Sequence, residues 1–207
     1  LLNTNATSVT VAAGMDSITD MAHVEIGGDT IGALSLVDLT VSGNTADVTL
    51  WGNIGSTGGM GAAGFTTLDV SNVVTHLEVD TSAADFGAQA SGTFVEYAIG
   101  ATSDGLAGVD VDFTGNTDAR EVYNFVGADI GEVEVNDFTW GADPATGDRL
   151  DLSGFASNAG ELVFTDVGGD LVITDLAGGS NDFDGSITIV GGAGHAADLA
   201  SFNIIYG

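Results

Sequence analysis

Short stretches in which apolar and polar residues alternate recur along the whole chain. They are rich in Val, Ile, Leu, Phe and Thr, and turn signals in which Gly stands next to Asp or Asn separate them. Alternation with a period of two is typical of strands that bury one face. The stretches are HVEI (23–26), LSLVDLTV (34–41), DVTL (47–50), TTLDV (66–70), HLEV (76–79), GVDVDF (108–113), GEVEV (131–135), ELVF (161–164), DLVI (170–173) and SITIV (186–190). The pattern predicts an all-β protein, with a helical turn only near 19–22 or 196–200.

Two of these segments resemble each other. The segment 37–50 (VDLTVSGNTADVTL) aligns with 66–79 (TTLDVSNVVTHLEV), and 108–118 repeats the same theme of alternating apolar residues followed by Thr, Gly and Asn. A repeated strand unit cannot bury its own face, but stacked units build a continuous core. The repeat therefore favours a right-handed parallel β-helix, a β-roll-like solenoid. An antiparallel β-sandwich with the same turn chemistry is the alternative.

The charge balance of the chain is extreme. Among 207 residues, Asp and Glu number 30 and Lys and Arg number 2, which gives a net charge of −28. The hydrophobic fraction of 44% is nonetheless that of a folded protein. Self-repulsion of this size disfavours a compact state unless cations offset it, and the hard oxygen ligands of carboxylates suit Ca²⁺. The same charge excludes nucleic acid and anionic membrane surfaces as partners, because both bind basic patches.

Other features of the composition narrow the class further. The chain contains no cysteine, which excludes disulfides and thiolate metal sites. No apolar run is long enough to span a bilayer. Because Leu1 is not an initiator methionine and no basic, apolar signal segment follows it, we expect this chain to be part of a longer one.

The segment from Asn136 to Phe155 (NDFTWGADPATGDRLDLSGF) concentrates aspartate, glycine and the only proline. Asp143 before Pro144 favours a turn, and we expect Gly141 and Gly147 to allow tight reversals. The spacing places three carboxylates near one another, those of Asp143, Asp148 and Asp151. Either a cation or the neighbouring guanidinium of Arg149 could pair with them, and the sequence leaves both open.

The order of motifs in the C-terminal half resembles a known family. A strand–turn–strand passage (131–155) precedes a GxDLVI hairpin, an IxIxG strand and a closing apolar segment. This order is similar to the C-terminal region of repeats-in-toxin (RTX) proteins exported by type I secretion, which serralysin-type metalloproteases, bacterial lipases, adhesins and surface-layer proteins share. The matching residues are Val135, Asp137, Phe138, Gly141, Asp143, Asp148, Leu150, Asp151, Leu152, Ser153, Phe155, Gly168, Asp170, Leu171, Val172, Ile173, Ile187, Ile189, Gly191, Leu199, Phe202, Ile204 and Ile205.

The resemblance implies two regions: a degenerate Thr/Gly-rich β-helix at 1–107, and an RTX-type secretion domain at 108–207 that ends the solenoid in a β-sandwich-like fold. It also implies Ca²⁺ and the type I secretion apparatus as partners. One departure stands out, because the full calcium-binding repeat GGxGxDxUx occurs nowhere intact and GGAGHAADL (191–199) comes nearest.

Calcium ligation is the chemistry that the turn acids favour most. A site needs six to eight oxygens, which carboxylates, amides and carbonyls of turns can supply. A solvated turn cap is the alternative for each residue alone. The candidate ligands are Asp104, Asp110, Asp112, Asn116, Asp118, Asp129, Asp143, Asp148, Asp166, Asp170, Asp182 and Asp184.

Catalytic motifs are missing from the sequence. The three histidines, His23, His76 and His195, are scattered, and neither HExxH nor GxSxG occurs. Trp51 and Trp140, with the tyrosines, could form a carbohydrate platform, but packing in the core is the interpretation that we favour. We therefore expect no enzymatic activity.

Together these observations predict a secreted structural protein at the cell surface. We expect a surface-layer, filament or adhesin component that is stabilised by calcium and self-assembles into a lattice or filament. The alternative is the non-catalytic, calcium-binding secretion domain of a secreted hydrolase such as a metalloprotease or lipase. A weaker third hypothesis is a β-helix that binds cell-surface polysaccharide.

Overall fold

The structure is a computed structural model that describes residues 7–13, 22–33, 36–55, 64–86, 94–100, 109–117, 119–126, 129–143, 145–176 and 184–207. The described part is almost entirely β, as the alternation predicts. Its strands are β1 (Ser8–Ala13), β2 (Ala22–Ala33), β3 (Asp38–Ile54), β4 (Thr67–Asp85), β5 (Val95–Ile99), β6 (Val111–Thr114), β7 (Glu121–Phe125), β8 (Asp129–Asn136), β9 (Arg149–Asp151), β10 (Leu162–Val167), β11 (Asp170–Asp175), β12 (Asp184–Ile189) and β13 (Ile204–Ile205).

All these strands belong to one continuous sheet that curls like half of a barrel. The long strands β3 and β4 divide it into two branches. In the first branch, the first half of β4 pairs with β5, and β7, β9 and β13 follow in turn. In the second branch, the second half of β4 pairs with β6, and β8 and β12 follow in turn. Every pairing in these two series is parallel. Only β10, β11 and β12 at one end pair in antiparallel fashion.

The register between β3 and β4 follows the internal repeat of the sequence. Asp38 pairs with Thr67 and Leu39 with Leu68, as the alignment of 37–50 with 66–79 predicts. The register then shifts at two irregularities, so that Ala46 pairs with Leu77. β-Bulges of this kind insert extra residues into one strand and bend it. The alignment is therefore confirmed at the start of the two strands and slips beyond Thr40.

Alternate residues of each branch point into a common core. Strand β5 alternates buried and more exposed positions, and β7 does the same. Tyr97 of β5 and Tyr123 of β7 pack against Phe113 of β6, with ring centroids 5.1 and 5.5 Å from that of Phe113. Because β6 belongs to the other branch, these rings join the two branches across the core, where aromatic pairs contribute beyond their buried area.

The passage from Asn136 to Phe155 connects the two branches near the C-terminal end. It leaves β8 and returns as β9, and within it Gly141 and Gly147 lie against each other. A Cβ on Gly147 would lie 2.6 Å from the Cα of Gly141. Close approach of two backbone segments, rather than a reversal at each glycine, is therefore what requires these residues.

The last part of the chain contains the predicted hairpin and helical turn. Strands β10 and β11 form the hairpin. A helical turn (Ala196–Asp198) and a π-helix (Leu199–Asn203) come next, so the closing apolar segment is a strand only at β13. Pairing of β4 with β5 and β6 continues the sheet across the proposed boundary at 107/108, which stays a prediction. No helix in the described ranges has the length and apolar character needed to cross a membrane.

Candidate functional site

The outward side of the second branch carries carboxylates in register on adjacent strands. Asp47 pairs with Glu78, Glu78 with Asp112, and Asp112 with Glu134. Paired residues on neighbouring strands point in the same direction at a strand spacing of about 4.8 Å. We call this row, together with Asp80 beside it, the acidic face. Like charges placed directly opposite each other destabilise a sheet.

The acidic face forms a shallow depression at its centre. The depression has a volume of about 250 Å³ and is lined by Asp47, Thr49, Glu78, Val79, Asp80, Asp112 and Thr114. Partial burial, followed by the charges of Glu134 and Glu78, raises the pKa of Asp112. The Nδ2 of Asn136 donates to Asp112 at 3.0 Å and offsets part of this effect. The crowding of negative charge is therefore strongest in the middle of the row.

Histidines are the only cationic groups that meet the acidic face in the described part of the chain. His23 pairs with Asp47 at 2.7 Å and His76 approaches Glu78 at 3.6 Å. The hydrogen bond to Asp47 raises the pKa of His23. Exposed pairs of this kind contribute little, and they cannot offset a whole row of carboxylates.

A calcium ion at this face would therefore be bound by pairs of carboxylates rather than by a complete set of protein ligands. Within the described ranges, no three side chains among His, Asp and Glu come together as a group that could hold a metal ion. The donor chemistry of the acidic face still suits Ca²⁺, because carboxylate and hydroxyl oxygens line it and water can complete the coordination shell.

Asp148, one of the predicted ligands, lies in the core rather than on a surface. Val122 of β7 pairs with Arg149 of β9, so the residues before them, Glu121 and Asp148, lie side by side. On its other side, Glu121 pairs with Val95 of β5. The backbone N–H of Glu121 donates to one carboxylate oxygen of Asp148 at 2.8 Å, and that of Thr139 donates to the other at 2.7 Å. Two acids thus occupy inward positions where the neighbouring strand has valine. We call Glu121 and Asp148 the buried carboxyl pair.

The carboxyl group of Glu121 is surrounded by polar groups from several strands. The backbone N–H of Asn116 and the hydroxyl of Tyr123 reach its Oε2 at 3.0 and 2.9 Å. The hydroxyls of Tyr97 and Thr81 meet its Oε1, the latter at 3.4 Å. Burial raises the pKa of Glu121, and burial together with the charge of Glu121 raises the pKa of Asp148. The pair therefore titrates as a unit.

Backbone N–H groups engage most of the other predicted ligands. Asp110 accepts from Glu132 at 2.9 Å, and Asp143 accepts from Ala145 at 2.8 Å. The buried side chain of Asn116 donates to the carbonyl oxygen of Thr81 at 2.8 Å.

Two further turn acids bind the glycine-rich loop after β12. Asp166 accepts from the N–H of Gly194 at 3.1 Å and Asp170 from that of Gly191 at 2.8 Å. These bonds explain aspartate at turns without a metal, because a carboxylate is a strong acceptor for backbone N–H groups.

Of the eight predicted ligands whose side chains the structure describes, only Asp112 lies on the acidic face. Asp184 is exposed at the first position of β12. Asp129 begins β8, but its side chain lies outside the described residues, as do Asp104, Asp118 and Asp182.

Arg149 does not neutralise the carboxylates around it. The four ion pairs among the described residues all use a histidine, so no described carboxylate pairs with Arg149. Asp143 and Asp151 instead accept backbone N–H groups, the latter from Ser153 at 3.0 Å. The structure therefore separates the three carboxylates that the sequence placed together.

The aromatic side chains pack as core rather than as a platform. Tyr97 and Tyr123 are fully buried. Trp140 stacks on the ring of His195 with centroids 4.4 Å apart, and Phe138 packs beside it. The Nε1 of Trp51 is buried. Core packing, the interpretation favoured by the sequence, accounts for the tyrosines and for most of the surface of Trp140.

Sequence reasoning missed Asp47, Glu78, Asp80, Glu134 and Glu121. The first four lie in strands, and the search for ligands considered turns. The alternation in DVTL (47–50), HLEV (76–79) and GEVEV (131–135) already put acids on outward positions, but their stacking depends on the register of the strands. Comparison with protein-family models, with curated proteins and with solved structures found no match to this chain.

Proposed function

We propose that this chain is a non-enzymatic structural protein of the cell surface, wound as a right-handed parallel β-helix and stabilised by calcium. The parallel pairing of both branches supports the β-helix. Thr67 pairs with Asp38 on one side and with Glu96 on the other, and Glu78 pairs likewise with Asp47 and Asp112. Each turn of the helix would then add one strand to each branch, and the antiparallel strands β10 to β12 would begin a sandwich-like end.

The acidic face is the feature of the structure that best supports a role for calcium. A row of in-register carboxylates is unfavourable without counter-ions, and a chain with a net charge of −28 holds few positive groups of its own. Divalent ions shared by carboxylates of adjacent strands would turn this repulsion into attraction. Because such ions bind the stacked strands and not the unfolded chain, they would stabilise the folded state by mass action.

This coupling suits export by a type I secretion apparatus. Cytosolic calcium is scarce, so repulsion would keep the chain unfolded until it leaves the cell. The similarity of residues 108–207 to RTX secretion regions supports the same route. Outside, folding would leave strand edges at both ends of the described sheet, β1 and β2 at one and β10 and β13 at the other. Edges of this kind pair with other strands, which supports self-assembly into a lattice or filament.

Substitutions in the middle of the acidic face test the role of calcium. Glu78→Gln and Asp112→Asn each remove one charge from the row. We expect each variant to be more stable than the wild type in excess chelator, by about 0.2–1 kcal/mol, because repulsion between opposed carboxylates is relieved. We also expect calcium to stabilise the variants less than it stabilises the wild type. Urea unfolding with and without calcium measures both quantities.

Asp143→Asn is the matched control for these variants. It removes the same charge from an exposed turn away from the acidic face, and the asparagine oxygen can still accept from the N–H of Ala145. Its response to calcium should equal that of the wild type. Equal calcium responses in all three variants would show that the acidic face is not where calcium acts.

A further inference from the structure

The buried carboxyl pair has no cationic partner among the described residues. The groups that face it are the phenols of Tyr97 and Tyr123 and the neutral side chains of Thr81, Asn116 and Thr139. Arg149 directly follows Asp148 in the sequence, but it forms no ion pair with a described carboxylate. Two ionised carboxylates at one buried position would repel each other without the screening that water provides.

The two carboxyl groups differ in the kind of partner that they meet. Both oxygens of Asp148 accept from backbone N–H groups, which can only donate, and the side chain of Thr139 also bonds to it, so all its partners can donate to an ionised Asp148. The Oε1 of Glu121 meets two hydroxyls, those of Tyr97 and Thr81, and shares the backbone N–H of Asn116 with Oε2. A hydroxyl, unlike an N–H group, can accept as well as donate. Three hydroxyls can therefore accept a proton from Glu121, whereas Asp148 meets one hydroxyl and has a backbone N–H donating to each of its oxygens. This difference favours Glu121 as the group that holds the proton.

A continuous chain of hydrogen bonds extends from the Oε1 of Glu121 to a backbone carbonyl. The hydroxyl of Tyr97 lies 3.3 Å from the Oγ1 of Thr81, which in turn lies 3.1 Å from the carbonyl oxygen of Thr114. If Glu121 donates to Tyr97, then Tyr97 can donate to Thr81 and Thr81 to Thr114, and every hydroxyl is both donor and acceptor. If Glu121 is ionised, Tyr97 donates to it instead, and Thr81 loses that donor.

We propose that Glu121 is a neutral carboxylic acid in the folded protein at neutral pH, and that its proton completes a hydrogen-bond chain which joins β7, β5 and β4. When rising pH removes this proton, a second negative charge appears beside Asp148 in the core, and the chain of donors loses its first member. The site is thus a pH-sensitive set of hydrogen bonds between the strands of the first branch and the start of β9.

The sign of the pH effect follows from proton binding. The unfolded chain releases the proton near the ordinary pKa of a glutamate, about 4.3, whereas burial raises the pKa of Glu121 in the folded state. Between these two values the folded state binds more protons than the unfolded state. The stability that Glu121 contributes is therefore fully present at low pH and falls as pH rises through this window, where one bound proton makes the unfolding equilibrium constant increase about tenfold per pH unit.

Infrared spectroscopy at neutral pH detects the proton directly. Exposed carboxylates are ionised there, so a C=O stretch of a protonated carboxylic acid reports a buried one. We expect this band in the wild type, and we expect isotope-labelled glutamate, but not isotope-labelled aspartate, to shift it. This labelling uses the unmodified protein and does not depend on the folding of a variant. Absence of the band, or a shift with labelled aspartate alone, would overturn the proposal.

Glu121→Gln extends the test to stability. Glutamine has the shape of the neutral acid, and its Nε2 can donate to Tyr97 as the protonated carboxyl does. Urea unfolding at fixed calcium and ionic strength should show the steep pH dependence in the wild type and its loss in Glu121→Gln. The control Glu96→Gln changes an exposed glutamate on the neighbouring strand and should retain both the slope and the infrared band. Persistence of the band or the slope in folded Glu121→Gln would contradict the assignment.

Discussion

Replacing Asp148 by alanine should cost the protein about 2–6 kcal/mol of unfolding free energy, because two buried N–H groups would each lose their acceptor at about 1–3 kcal/mol. The groups are the backbone N–H of Glu121 and that of Thr139. Removing a buried charge also removes its cost of desolvation, which lowers the net loss of stability. The upper end of the range therefore applies only if the core does not relax around the missing side chain. Since a domain of this kind is stable by about 5–15 kcal/mol, much of its margin would be lost.

Asp151→Ala is the matched control for this loss. The two aspartates lie in the same sequence passage, but Asp151 is half-exposed and accepts one N–H bond, from Ser153. Surface substitutions of this type change stability by about 0.5 kcal/mol. Urea unfolding at fixed pH and calcium compares the two variants. If both lose the same small amount of stability, Asp148 does not hold the core together as the structure indicates.

Gly147→Ala should destabilise the protein by about 1–3 kcal/mol, the usual cost of forcing extra volume into a packed site. The added Cβ would lie 2.6 Å from the Cα of Gly141 and 2.8 Å from the carbonyl oxygen of Thr139. These atoms belong to the backbone, so the loop before β9 must move as a whole. That movement would also pull Asp148 away from the N–H of Thr139.

Gly154→Ala provides the control for the glycine effect. No atom lies within 4 Å of a Cβ built on Gly154, so we expect a stability equal to that of the wild type or slightly greater, since alanine restricts the unfolded chain. Thermal unfolding of the two variants side by side measures the difference. A Gly147→Ala variant as stable as Gly154→Ala would show that the two glycine segments are not in close contact.

Much of the fold could be predicted from the sequence because the signal is local. Alternation identified β2, β3, β4, β6, β8, β10, β11 and β12, and the structure confirms a strand in each place. The short strands β9 and β13 are weaker cases, and β1, β5 and β7 were not among the predicted stretches. In β7 an acid, Glu121, occupies an inward position, so the pattern of EVYNF has a polar residue where a strand usually buries an apolar one.

The candidate site could be predicted only in its chemistry. The charge of the chain indicates that cations are needed, but the acidic face depends on which strands are neighbours. Asp112 was predicted as a ligand, whereas its partner Glu78 was not, because 33 other residues separate them in sequence and only the register joins them. Likewise, the sequence does not distinguish Asp143, Asp148 and Asp151, whereas the structure buries Asp148 and exposes Asp143.

A calcium titration that records circular dichroism and light scattering together tests the central claim most directly, namely that divalent ions hold the charged strands in register. In excess chelator we expect a chain with reduced β signal and the scattering of a monomer. Millimolar calcium should restore the β signal and then raise the scattering, since a thousandfold excess over the dissociation constant stabilises the folded state by about 4 kcal/mol per site. A chain that is equally folded and equally monomeric with chelator and with calcium would contradict both the stabilisation and the assembly.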